Sequence, residues 1–150
     1  MTRCKHCKAK GELINGRCPY CGIEADKSSA DLTKAEKKTR FHAHSIRIVA
    51  LVHIFAAAVL LFQMPEFPAP AVIAVLVVIN FALAYGLLRF SLIAYRAAVV
   101  YYFMIGMVNV VSIQRGPEHL GALLLALLAL YLVGNGRSKA IFERRPAEEI

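Results

Sequence analysis

Polar and apolar residues follow two different patterns along this chain. Up to about residue 45 they are mixed, and beyond it come four long apolar runs, at about 46–64, 71–88, 93–113 and 118–134. The charge-free cores of these runs are Ile48 to Met64, Ala71 to Leu88, Ala97 to Ile113 and Leu120 to Val133. With its flanks, each approaches the roughly 20 residues that a helix rising about 1.5 Å per residue needs to cross about 30 Å of hydrocarbon. The fourth is the shortest. It reaches span length only if Glu118, His119 and the Gly134-Asn135-Gly136 exit lie among the headgroups.

The breaks between runs fall where helices end. Pro65, Pro68 and Pro70 cannot continue a helix and restrict the residues before them, so Met64 to Pro70 is expected as a tight extended loop. Gly116-Pro117 plays the same part between runs three and four. The link from Arg89 to Ser91 has no proline and is short. The expected fold is an all-α membrane protein, a four-transmembrane-helix bundle of two antiparallel hairpins preceded by a small head.

Charge adds a direction. A 58% hydrophobic chain exceeds the usual apolar share of about 45–50%, yet residues 1–47 hold eleven of the eighteen Lys and Arg. Arg89 and Arg96 flank the second link, and Arg137, Lys139, Arg144 and Arg145 occupy the tail; the two remaining loops share only Arg115. Basic residues stay on the cytoplasmic side, so both termini are expected inside. The net charge of +8 follows from this bias and calls for no acidic partner; nucleic acid is not an expected ligand. A cleavable signal is not expected either, because cysteines, lysines and a glycine stand where its apolar segment would be.

The head, residues 1–26, carries Cys4-Lys5-His6-Cys7 and Cys18-Pro19-Tyr20-Cys21. Two Cys-x-x-Cys turns supply the four thiolates of a tetrahedral structural zinc site. Ten residues separate them and include Asn15-Gly16, a two-residue hairpin signal that would return the second knuckle to the first. Gly22 after Cys21 permits a left-handed backbone, and Lys8 stands at the matching place after Cys7. Ordering such a head costs about 1–2 kcal/mol per residue. Leu13, Ile14, Tyr20 and Ile23 are too few to offset that, whereas structural zinc contributes about 10–16 kcal/mol. Rubredoxin-like iron and a dithiol redox pair are the competing readings. The first lacks the longer aromatic-rich insert and the second lacks a thioredoxin-like strand and helix. His6 is read as solvated.

The Cys-Pro-Tyr-Cys-Gly turn and the four ligand positions resemble the short zinc ribbons at the cytoplasmic N-terminus of small prokaryotic membrane proteins. Tyr85-Gly86-Leu87-Leu88-Arg89, Ala94-Tyr95-Arg96 and Arg137-Ser138-Lys139-Ala140-Ile141-Phe142 are similar to the hairpins of uncharacterised bacterial integral membrane proteins. The resemblance implies a prokaryotic plasma (inner) membrane and carries no activity.

Residues 27–45 form a basic juxtamembrane linker. Thr33-Lys34-Ala35-Glu36 is a capping box that should start a helix at about Lys34, running unbroken into the first span. Lys34, Lys37, Lys38 and Arg40 would then meet the lipid interface, and His42 and His44 are read as interfacial. Arg96 is expected to snorkel back to the inner interface. Inside the spans, His53, Asn80 and Asn109 are expected to hydrogen-bond between helices, and Tyr101 and Tyr102 to pack. Ala82 and Gly86 form a small-xxx-small pair. The tail, 137–150, is assigned nothing beyond orientation.

Catalysis is not expected, since no nucleophile is paired with a base. The expected role is a non-enzymatic accessory or scaffold protein whose ribbon meets a protein partner, or which self-associates through its helices. A small oligomeric transporter or channel subunit and a thiol redox or metal sensor are the alternatives.

Overall fold

Thr33 starts the longest element. Its hydroxyl accepts from the Glu36 amide at 3.3 Å while its own amide donates to the Glu36 carboxylate at 2.7 Å, the reciprocal pair of a capping box. Helix α1 then runs from Lys34 to Gln63 without proline or glycine. Lys27 holds both Glu36 oxygens at 2.9 Å and Arg40 donates to the Ser29 hydroxyl at 2.8 Å, so the linker is fastened to the first turns of α1. Burial alone would raise the Glu36 carboxyl, but the Thr33 amide and the Lys27 ammonium outweigh it and hold it below the usual range.

The computed structural model describes residues 2–66, 68–113, 116 and 118–143. After α1 come α2 (Pro70–Leu88), α3 (Leu92–Ser112), α4 (Glu118–Gly134) and a short α5 (Gly136–Glu143). The proline connection is not wholly extended as expected: Met64–Glu66 make one turn of 3-10 helix, with which the fixed φ of Pro65 is compatible. Arg115, Pro117, Arg144, Arg145 and the tail after Glu143 lie outside the described residues.

Helix α1 packs chiefly on α2 and α3 chiefly on α4, which are the two expected hairpins. Gly86 lets α2 and α3 meet closely, since an added Cβ there would overlap the Cβ of Ala94. Three helices, α1, α2 and α3, are long and apolar enough to cross a membrane. The fourth expected span is modified: α4 has 17 residues and attains that length only together with α5, from which it turns by 50°. Outward-facing side chains such as Leu51, Phe55, Phe62, Val78, Val111 and Leu125 are exposed and apolar, a surface suited to lipid and a poor one for water.

The α2–α3 link turns through Phe90, which holds φ at 51°. The Ser91 amide reaches back to the Gly86 carbonyl at 2.9 Å, closing a Schellman cap with a phenylalanine where glycine is usual. Such a backbone costs about 1 kcal/mol. Neighbours hold the side chain in place: the Tyr20 ring lies 5.6 Å away and the Phe142 ring 5.8 Å away.

Those two rings come from the head and from α5. The head pairs β1 (Thr2–Arg3) antiparallel with β2 (Lys10–Gly11), and a second hairpin turns at Asn15 and Gly16, both with positive φ, closed by the Ile14–Arg17 bridge. Buried residues run without a break from Cys4, Cys21 and Ile23 through Phe90 and Tyr95 to Ile46 and Leu87 of the bundle. The tail therefore needs correction. Ala140, Ile141 and Phe142 of α5 are buried, Phe142 stacks within 4.8 Å of Tyr95, and the segment is part of the core. Its apolar positions are too few to stand out in hydropathy and gain meaning only from the head and α3 beside them.

Candidate metal centre and buried polar chain

The two cysteine knuckles are built alike. In each, the amide four residues after the first cysteine returns to its carbonyl, Lys8 to Cys4 and Gly22 to Cys18, both at 2.8 Å. The donor residue is left-handed in both, at φ 59° for Lys8 and 68° for Gly22. The first knuckle thus takes the glycine conformation without a glycine. The Asn15-Gly16 hairpin brings the pairs together, and all four sulfurs lie within 4.8 Å of one another, buried. Cys4 Sγ is 3.9 Å from Cys21 Sγ and Cys7 Sγ is 3.5 Å from Cys18 Sγ.

These spacings suit one ion. Metal–sulfur bonds of about 2.3 Å at tetrahedral angles place sulfurs about 3.8 Å apart. The donor set is four thiols with no carboxylate or imidazole in the cluster. The sulfurs also act on one another. Hydrogen bonds from Cys18 and Cys21 lower the Cys4 thiol, those from Cys21 lower Cys18 to about 7, and Cys18 pushes Cys7 and Cys21 up. Four thiolates at such separations repel one another strongly unless a cation lies among them.

His6 departs from expectation. It is 2% exposed rather than solvated, and its Nε2 has no hydrogen-bond partner among the described residues. It lies among the buried residues of the head, beside Cys7 and Cys4. His44 is exposed, but His42 is buried, its Nδ1 3.4 Å from the Ser138 hydroxyl of α5. Lys34, Lys37 and Lys38 are exposed on α1, with Arg40 half-buried beside Ser29. Arg96 is exposed in the second turn of α3.

Deeper in the bundle, His53 and Asn80 meet as expected for inter-helix polar groups. His53 Nδ1 lies 2.7 Å from Asn80 Oδ1, and Asn80 Nδ2 donates to the Leu76 carbonyl at 2.9 Å. The third member was missed: the Tyr102 hydroxyl lies 2.8 Å from His53 Nε2. A neutral imidazole with its proton on Nδ1 satisfies every atom, donating to Asn80 and accepting from Tyr102. This chain joins α1, α2 and α3. Asn109 is separate; it donates to the Ile105 carbonyl at 2.9 Å and faces His119 of α4 at 3.3 Å. A tyrosine among apolar residues gave no sign of its partner, since His53 is 49 positions away.

Comparison with protein-family models, curated proteins and solved structures finds no match for this chain. The metal-compatible cysteines and the apolar helices are therefore properties read from the chain itself.

Proposed function

We propose that the four cysteines hold a structural zinc ion, and that the protein is a non-enzymatic accessory or scaffold protein of a prokaryotic plasma membrane. In this reading four segments cross the bilayer, the fourth being α4 with the start of α5 at its cytoplasmic end, and both termini face the cytoplasm. Support for the orientation comes from the grouping of the basic elements. The head, the α2–α3 link and α5 meet through Tyr20, Phe90 and Phe142 at one end of the bundle.

One observation carries the role. The head is docked on the bundle, and its hairpin tip leaves Leu13 and Ile14 exposed, Ile14 at 63%. Two exposed apolar side chains on a turn beside the cysteine cluster suit an apolar recess on a protein partner. The polar chain at His53 supports packing rather than passage of a solute, because its members are buried and satisfied by one another.

The test is a photo-cross-linking amino acid at position 14 in native membranes. The expected result is one discrete protein adduct that disappears when Cys4 is replaced by serine and does not form from position 24. No adduct, or equal adducts from both positions, contradicts the reading.

A further inference from the structure

A cavity of about 920 Å³ lies between the head and the α2–α3 link. Its size is that of a small-molecule site. Arg3, Lys8 and Lys10 of the head, Arg47 of α1 and Arg89 of the link contribute five cations to its wall, and no lining residue is acidic. Among the described residues none of the five has a carboxylate within ion-pair distance. Arg3 and Arg47 are close enough to repel one another, and the Arg47 Nε is buried without a hydrogen-bond partner.

The first turn of α3 completes the wall. Ser91, Leu92 and Ile93 line the cavity, and Ser91 caps the helix with no side-chain hydrogen bond, so free amides of a 21-residue helix stand at its edge. A helix N-terminus favours an anion, and so does each of the five cations. Like charges gathered this way are costly alone, and an anion that meets them offsets that cost.

The position selects the anion's source. The cavity lies at the end of the bundle where α2 stops and α3 begins, and two of its lining residues, Tyr85 and Ile93, are 62% and 81% exposed on the outer surface of those helices, which the proposed topology turns toward lipid. A phosphate here would have apolar surface beside it along which an acyl chain could lie. Basic recesses at this level of a membrane protein suit lipid headgroups.

We propose that this cavity binds the phosphate of an anionic phospholipid, clamped between the cysteine head and the start of α3. The bound lipid would then link the head to the bundle, whether or not Ile14 meets a protein partner.

The test is native mass spectrometry of the full chain in a zwitterionic detergent, titrated with short-chain phosphatidylglycerol, phosphatidylcholine or inorganic phosphate. The wild-type chain should retain one phosphatidylglycerol and bind phosphatidylcholine at least about tenfold more weakly. The exposed pair Lys10→Gln and Arg89→Gln can change without disturbing the core and should weaken phosphatidylglycerol roughly tenfold or more. Lys37→Gln with Lys38→Gln, an equal loss of charge elsewhere, should change it less than about twofold. Equal binding of the two lipids, or no loss in the Lys10 and Arg89 variant, overturns the proposal. Inorganic phosphate that binds as tightly as phosphatidylglycerol assigns the site to free phosphate and overturns the lipid.

Discussion

The head and the bundle bury their groups for opposite reasons. In the head, side chains that would be reactive in water, Cys4, Cys7, Cys18 and Cys21, form the centre, and few apolar residues surround them. In the bundle, apolar residues lie both inside and outside, and the buried exceptions are a few polar groups such as His53 and Asn80. A medium can organise the second region, because helices satisfy their own backbone and lipid accepts their apolar exteriors. No medium organises the first, since a short hairpin alone is marginal in water. With the four cysteines holding a metal as proposed, the head depends on that ion and on the surface it rests upon.

The sharpest break of that contrast is replacement of Cys4 and Cys21 by serine. Structural zinc contributes about 10–16 kcal/mol, far more than the head's apolar contacts supply. Amide exchange protection in residues 2–24 should vanish while α2 and α3 keep theirs. Loss of protection in both regions would mean that the bundle leans on the head, contrary to this account.

Next in size is Phe90, the residue the two regions share. Phe90→Ala removes the ring between Tyr20 and Phe142 and keeps the left-handed backbone. It should cost about 3 kcal/mol in equilibrium unfolding, the lower end for a buried phenylalanine. Phe90→Gly should be less harmful than Phe90→Ala by about 1 kcal/mol, because it relieves the backbone while losing the same ring. Equal losses for the two would show that the positive φ carries no strain.

Within the bundle, His53→Leu leaves the Tyr102 hydroxyl and the Asn80 oxygen without their partner. The expected loss lies between the membrane average of about 0.6 kcal/mol and the roughly 1–3 kcal/mol of an unsatisfied buried group. Steric trapping in bicelles would measure it. Replacing Asn80 in the same background should then cost less than it does alone.

The smallest effect belongs to the junction. Thr33→Ala should destabilise the start of α1 by about 1 kcal/mol, read as faster amide exchange in residues 34–37. Acid should act there too. The Glu36 carboxyl titrates below its ordinary value when folded, so its contribution is complete at neutral pH and is lost as pH falls through the folded value.

What was legible beforehand divides along the same line between local and distant contacts. The start of α1 was readable because Thr33 and Glu36 are three residues apart and complete each other. The cysteine cluster was readable because Asn15-Gly16 sets the return of the chain between the knuckles. By contrast, nothing near Phe90 told of Tyr20 and Phe142, which approach from 70 residues before and 52 after it. His6 was misread because burial inside a knuckle leaves no local pattern: its neighbours Lys5 and Lys8 are exposed while it is 2% exposed. The break between α4 and α5 was readable at Gly134-Asn135-Gly136, where the Asn135 side chain accepts from the Arg137 amide, but the burial of Phe142 beyond it was not, because its partners Phe90 and Tyr95 lie far along the chain.

The most direct measurement is metal and thiol stoichiometry of the full chain, purified in detergent without added metal. One zinc per chain is expected, with four cysteines that resist alkylation until a chelator is added. A metal-free chain whose cysteines react at once, with the head still protected from exchange, would contradict this expectation.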